Sequence, residues 1–268
     1  MALKNNDDGQ QFDTRTALFL AAVCGQTYVQ YGSPDGSFLV PAGYRVAGSF
    51  KAQSYEDKPE YFGFVLESDR TVILAFRGSG SAMDWVSDFI SQQVTFKPVK
   101  TSCQSHKGFT DIYMTCQQDV RSIVRLTDPD KPLFVTGHSL GGALATLAAF
   151  DICVNTGREP IVYTYGSPRV GDVKFARTYN RSIKQHWRVQ NEYDIVPHLP
   201  PLVYRQPKTK NIFYYMHVRG EVKRSFRMGS VSGNHVLSSY FADLAKEDPA
   251  YAAMLCEGPP GWCPTFPS

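Results

Sequence analysis

Hydrophobic positions along the chain follow two different periods. Short runs dense in β-branched and aromatic residues read as strands: YFGFVLE (61–67), TVILAFRG (71–78), PLFVTGH (132–138), IVYTYGS (161–167), HWRVQNE (186–192) and IFYYMHV (212–218). Between several of them apolar residues recur at helical spacing, most clearly over 107–126 and 140–154, then over 172–184 and 235–246. A first helix, amphipathic or buried, is expected over 12–29 from TALFLAAVCGQTY. Strands alternating with helices predict an α/β fold, with a mostly parallel central sheet covered on both faces. The first two runs are joined only by Ser68-Asp69-Arg70, which predicts an antiparallel hairpin at one edge. No internal repeat or long linker divides the chain, so a single domain over 1–268 is expected.

Bulk properties narrow the functional classes. The 268 residues suffice for a substantial core, and 43% hydrophobic with 20% charged residues is ordinary for a globular protein. A net charge of +3, without basic runs or a phosphate-cradling loop, argues against a nucleic-acid partner. No uninterrupted apolar segment reaches spanning length, so no transmembrane segment is expected. Asp7, Asp8 and Asp13 precede the first apolar run, where a secretory signal would be basic. The expectation is a cytoplasmic protein, or a mature secreted form that has lost its signal. Cys24, Cys116 and Cys153 sit in apolar helical stretches and read as buried free thiols. Cys256 and Cys263, in CEGPPGWC, have the spacing to close a small loop, and the sequence leaves that bridge open. No spacing resembles a metal site, and no cofactor is implied.

The chemistry concentrates in FVTGHSLGGALATLAAF (134–150), where a strand runs into a small-residue helix through Gly-His-Ser-Leu-Gly. The G-x-S-x-G pentapeptide alone is a weak signal. Its context is that of a nucleophile elbow, a tight strand-to-helix turn that lifts Ser139 clear of the sheet. A serine needs a base to take its proton, and the base needs an acid to orient it. His138 is excluded by adjacency. His186 opens a strand and His217 lies in an apolar run, which suits buried structural roles. His198 and His235 lie in loop-like segments. Asp194 ends a strand, where ligands of such sheets bind, with Glu192 the runner-up two residues back. His198 is only four residues from Asp194, which suggests a local supporting or packing role. His235, in SGNH at the mouth of a helix, pairs better with Asp194. An oxyanion hole needs two fixed N–H donors. Leu140 offers one, and Ser79 in AFRGSGSAMDW is the candidate for the other.

Six ordered motifs then converge: FRGSGSAMDWVSDF, HKGF (106–109), VTGHSLGGALATLAA, TYGSPRVGD, DIVPHLPP and GNHVLSSYF. Over roughly residues 15 to 245 the sequence resembles the class 3 lipases, the fungal-type triacylglycerol lipases and their bacterial relatives. The resemblance implies an α/β-hydrolase fold with Ser139, Asp194 and His235 as its triad. It also implies Ser79 and Leu140 as the oxyanion pair, and Asp88 as an aspartate that braces the Ser79 loop. Asp84 and Asp172 stand where the family more often has Asn. The expected function is serine carboxylester hydrolysis, foremost of triacylglycerol, at an oil–water or membrane surface. Phospholipase A1, soluble-ester esterase and acyltransferase activities remain alternatives on the same scaffold. A non-catalytic lipid-binding protein is the rival from another class.

Beside Ser79, the segment 81–92 places Trp85, Val86, Phe89 and Ile90 at i, i+1, i+4 and i+5, one apolar stripe on a helix. It reads either as a permanently packed surface helix or as a mobile lid, and hinging glycines at 78 and 80 favour the lid. Trp and Phe together bury ~300 Å², and exposing half of that in water costs about 4 kcal/mol. A lipid surface offsets this cost by covering the same stripe. The expected outcome is a jump in rate as a short-chain triacylglycerol passes its solubility limit, weaker for Trp85→Ala combined with Phe89→Ala. Smooth saturation through the limit in both proteins leaves only the fixed helix.

Overall fold

The computed structural model describes residues 11–54, 58–80, 92–207 and 209–264. The lid stripe Trp85, Val86, Phe89 and Ile90, together with Asp88, lies outside the described residues. In chain order the elements are α1 (Thr14–Gly32), β1 (Tyr44–Ala52), β2 (Glu60–Ser68), β3 (Val72–Phe76), β4 (Gln93–Thr95), β5 (Gln104–His106) and α2 (Lys107–Leu126). There follow β6 (Leu133–His138), α3 (Leu140–Thr156), β7 (Pro160–Tyr165), α4 (Val173–Ser182), β8 (Gln185–Asn191), β9 (Val203–Arg205) and β10 (Ile212–Tyr214). The last elements are β11 (Glu221–Arg224), α5 (Val231–His235), α6 (Leu237–Ala245) and α7 (Pro249–Cys256). Seven strands form one sheet in the order β1-β2-β3-β6-β7-β8-β11. From β3 onward every pairing is parallel, whereas β1, β2 and β3 pair antiparallel. The α/β architecture and the edge hairpin expected from the sequence are both present.

Alternation along the central strands divides the core in two. Val72, Leu74 and Phe76, with Leu133 and Val135, face a cluster formed with α2, α3 and α4. Ile73, Ala75 and Phe134 face the opposite cluster, built on α1, α6 and α7. Strands covered on both faces need no polar alternation, which is why LFVTGH and VILAF read as continuous runs. Among the described residues no helix is long and apolar enough to cross a membrane.

Two expectations need correction, and two strands escaped the pattern. The run 212–218 contributes only β10, paired with β9 in a separate two-stranded ribbon. Ile212 and Tyr214 are exposed there, and the buried apolar residues of the run, Tyr215 and Val218, follow the ribbon strand. The outermost strand of the sheet is instead β11, EVKR, whose charges are those of an edge strand paired on one side. Strand β1 escaped the pattern because its register shifts twice against β2, between Val46 and Gly48 and between Phe50 and Lys51. A bulge breaks the two-residue period by which strands are read. The helix expected over 235–246 breaks at Val236, whose extended backbone (φ −60°, ψ 144°) leaves His235 at the end of the short α5.

Cys24, Cys103 and Cys116 are buried free thiols and Cys153 is half-buried, while Cys256 and Cys263 are bonded to each other. On α3, the fully buried Asp151 accepts hydrogen bonds from Tyr113 (2.6 Å), Gln117 (3.0 Å), Asn155 (2.7 Å) and the Arg121 guanidinium. Deleting one partner of a buried ion pair leaves a charge uncompensated, whereas an exposed pair is screened by water. Arg121→Leu is therefore expected to lower stability by about 3 kcal/mol in urea unfolding. Lys107→Ala, which removes the exposed pair with Asp111, is expected to cost less than about 0.5 kcal/mol. Equal effects of the two would refute this ranking.

Candidate active site

Ser139 stands between β6 and α3 at φ 58° and ψ −127°, in a region that side chains other than glycine rarely occupy. Its N–H donates to the Tyr165 carbonyl (2.9 Å), and its own carbonyl accepts from Gly142 N–H (2.9 Å). The turn is that tight because Gly141 lies against β3: a Cβ on Gly141 would stand 2.4 Å from the Phe76 carbonyl oxygen. The elbow expected from the sequence context is thus a strained backbone held by its neighbours.

The three candidate catalytic side chains come together across 96 residues of chain. Ser139 Oγ lies 2.9 Å from His235 Nε2, and His235 Nδ1 lies 2.7 Å from Asp194 Oδ2. Asp194 sits just past the carboxyl end of β8, and all three side chains are buried. Its carboxylate also accepts from Tyr240 (2.7 Å, on Oδ2) and from Val196 N–H (2.9 Å, on Oδ1). With both flanks occupied by donors, the carboxylate has one orientation open to it, toward His235. Burial and the adjacent Asp194 raise the Tyr240 phenol well above its ordinary range, so it remains a donor. Gly166 (φ 55°) gives the pair room, since a Cβ there would meet Asp194 Oδ2 at 2.9 Å and the His235 ring at 3.2 Å.

The remaining candidates fall as follows. Leu140 is the first residue of α3, so its N–H belongs to the unpaired N-terminal turn beside Ser139. Ser79 follows Gly78, whose missing side chain lets that loop touch the elbow; a Cβ on Gly78 would stand 2.7 Å from the His138 carbonyl oxygen and 3.2 Å from Ser139 Cβ. Ser79 and His235 line the same cavity. Glu192 is turned to other partners, Ser225 (2.6 Å) and Lys223 (3.1 Å), and their hydrogen bonds hold its carboxyl down to about 2. His198 departs from the supporting role expected of it: its side chain is exposed, and its backbone carbonyl is what binds Arg169. His186 is buried against Tyr179 (2.8 Å), and His217 Nε2 donates to the Pro197 carbonyl (2.7 Å), as structural roles require. Among the described residues no cluster of His, Cys, Asp or Glu is placed to hold a metal ion.

Two contributors went unnoticed in the sequence. Tyr240 lies one turn into α6, where its phenol looks like any aromatic core residue. His138, set aside as a base, is instead a support for His235. Its Nε2 donates to the His235 backbone carbonyl (2.7 Å), its ring packs 4.8 Å from the His235 ring, and Tyr28 donates to its Nδ1 (2.8 Å). These contacts are formed by residues about a hundred positions apart, and no local spacing signals them.

Against known proteins, residues 73–204 match the model of the family described as Lipase (class 3). The lipase of Rhizomucor miehei is 38% identical over 145 residues, which are 52% of this chain and 40% of that protein. A solved triacylglycerol lipase, described as having a serine protease triad for its catalytic centre, superposes with a TM-score of 0.62 at 26% identity. That alignment covers 76% of this chain and 84% of the other. This chain belongs to the class 3 lipase family. Its fold is the α/β-hydrolase fold. Phospholipase A1-Igamma2 of Arabidopsis thaliana is also similar, 30% identical over 226 residues, 63% of this chain and 43% of that protein. The chain thus spans about two fifths of the length of these curated relatives.

The buried histidines set an acid limit on this class 3 lipase fold. Burial, helped by the neighbouring His235, pushes the His138 imidazole down to about 3, and burial pushes His186 well below its ordinary value. Both resist protonation when folded, while unfolded histidine takes up a proton below about pH 6.5. Their stabilising contribution is complete above about 6.5 and is lost as pH falls, by about 1.4 kcal/mol per pH unit for each group. The urea midpoint is expected to drop steadily between pH 6.5 and 5, above the range where carboxylates join in. His138→Gln should flatten that slope by about one proton. A midpoint independent of pH across this window would contradict it.

Proposed function

We propose that this class 3 lipase chain is a serine carboxylester hydrolase that cleaves triacylglycerol through an acyl-enzyme. The observation that carries the reading is the continuous line from Ser139 Oγ to His235 (2.9 Å) to Asp194 (2.7 Å). Ser139 Oγ attacks the ester carbonyl carbon while His235 Nε2 takes its proton, and Asp194 stabilises the imidazolium and holds its tautomer. The N–H groups of Ser79 and Leu140 receive the negative charge that develops on the carbonyl oxygen. As the tetrahedral intermediate collapses, the ester C–O bond breaks and His235 hands its proton to the departing alcohol oxygen. Water, deprotonated by the same imidazole, then attacks the acyl-enzyme and releases the fatty acid and free Ser139.

A second reading, phospholipase A1 activity, draws on the Arabidopsis relative, whose similarity extends over more of this chain than that of the Rhizomucor lipase. The ester chemistry is common to both. Parallel assays on emulsified triacylglycerol and on phosphatidylcholine vesicles separate them.

Ser139→Ala and His235→Ala are expected to abolish turnover with the fold intact, and Asp194→Asn to lower kcat by ~10⁴ through loss of the tautomer. Glu192→Gln should leave kcat within about twofold, since that side chain pairs with Ser225 and Lys223. If Glu192→Gln were crippling and Asp194→Asn benign, the assignment of the acid would be wrong. The acid limb of kcat/KM should have a slope of one, since the base works neutral.

A further inference from the structure

Charge is unevenly divided along the chain. Between residues 173 and 220 nine Lys and Arg stand against two acids, Glu192 and Asp194, whereas the rest of the chain holds 19 against 23. Both acids are already answered, Glu192 by Lys223 and Asp194 by His235. Helix α4 lays three of the cations on one exposed row, Lys174, Arg177 and Arg181, at i, i+3 and i+7. Lys174 donates to the Ser102 hydroxyl, and among the described residues none of the three is held in an ion pair.

Beside this row stands an apolar face that the core does not cover. In the β9–β10 ribbon Val203 pairs with Tyr214 and Arg205 with Ile212, all on one side, while Tyr204 and Phe213 turn to the other. Val203, Ile212, Tyr214 and the preceding Leu202 are each more than half exposed. The ribbon is fixed in place: Met216 N–H donates to the Gly171 carbonyl (2.9 Å), and Gln93 Nε2 to the Tyr214 carbonyl (2.7 Å). Ile212 and Tyr214 share a hollow of about 560 Å³ with Lys174, Arg177 and Arg181. The acid lining it, Asp172, is occupied in capping α4 through Phe175 N–H (2.6 Å). Apolar groups standing out in water and rimmed by polar ones mark a surface that meets a partner.

We propose that this face docks the protein on an anionic lipid bilayer. Val203, Ile212 and Tyr214 lodge among the headgroups, while Lys174, Arg177, Arg181 and Arg205 meet the lipid phosphates. A second copy of the chain is a poor occupant, since a twofold contact would bring two cationic rows together. Nucleic acid is a poor one too, because its phosphates would leave the exposed aliphatic groups in water. Each Lys or Arg brought within a Debye length of an anionic membrane strengthens binding by about fivefold (~1 kcal/mol). The inference stands apart from the ester chemistry, because docking is read without turnover.

Sedimentation with vesicles of phosphatidylcholine, alone or mixed equally with phosphatidylglycerol, tests it on Ser139→Ala protein, so that hydrolysis does not alter the lipid. The mixed vesicles should bind at least about a hundredfold more tightly, and adding Lys174→Gln, Arg177→Gln and Arg181→Gln should remove about that factor. Ile212→Ser with Tyr214→Ser should weaken binding to the mixed vesicles at least about tenfold. Lys184→Gln, whose charge is answered by Glu159, should leave binding within about twofold. At about 1 M salt, where the Debye length is about 3 Å, the preference should vanish. Should the triple variant fail to fold, the vesicle comparison and its salt dependence decide. Equal binding to both vesicles, or a preference that survives the triple substitution, overturns the inference. So does a preference indifferent to the Ile212 and Tyr214 changes and matched by binding to a duplex oligonucleotide, which makes the face a general polyanion site.

Discussion

Everything at the candidate site depends on one unfavourable backbone conformation. Ser139 at φ 58° costs of order 1–3 kcal/mol relative to an allowed conformation. A turn so placed relaxes unless its surroundings hold it. Here β6 enters from the middle of a parallel sheet, paired on both sides, and α3 leaves at once with its first residues pressed on β3. The Ser139 N–H is tied to the end of β7 through the Tyr165 carbonyl. Strand and helix are each locked by their own core face, so the strain has no path of release. The sheet's order then supplies the rest: β6, β7 and β8 are successive neighbours, and their carboxyl ends carry Ser139, Gly166 and the turn holding Asp194.

The other end of the line is fixed by hydrogen bonding. Tyr240, Val196 N–H and His235 together use both oxygens of the Asp194 carboxylate, and the Asn191 N–H donates in turn to the Tyr240 hydroxyl. His235 is held at its side chain by Asp194 and at its backbone by His138. The second of these contacts also has an electrostatic side. His138 lies within ring contact of His235, and burial keeps it uncharged. A charged neighbour would oppose the imidazolium that the proposed mechanism forms, and a neutral one does not.

How far the sequence carries follows from what each interaction needs. The buried strands and the elbow were legible because their signals are local: a run of apolar residues, a glycine-flanked serine, a helix directly after. The order Ser139, Asp194, His235 was legible because a strand's carboxyl edge and a helix's mouth can be read from the chain around them. Strand β1 was not, because its register shifts erase the two-residue period, and β11 was not, because an edge strand needs few apolar residues. Tyr240 and His138 were missed for a different reason. A buried phenol and a buried imidazole resemble core residues until their partners are known, and those partners lie 46 and 97 residues away. His198 shows the reverse error, since nearness in sequence to Asp194 placed it by the site while its ring turned to solvent.

The division between chemistry and enclosure runs along the chain as well. The matched stretch 73–204 holds Ser79, Ser139, Leu140 and Asp194, the proposed nucleophile, the proposed acid and both oxyanion candidates. His235 comes from beyond it, brought in by α5 at the point where Val236 interrupts the helix. The walls of the cavity that Ser79 and His235 line come from farther still: α1 lies before the stretch, and the loop closed by Cys256 and Cys263 follows it. Rebuilding those outer segments changes the size of the space beside His235 while the strained turn, which depends on β3, β6 and β7, stays as it is.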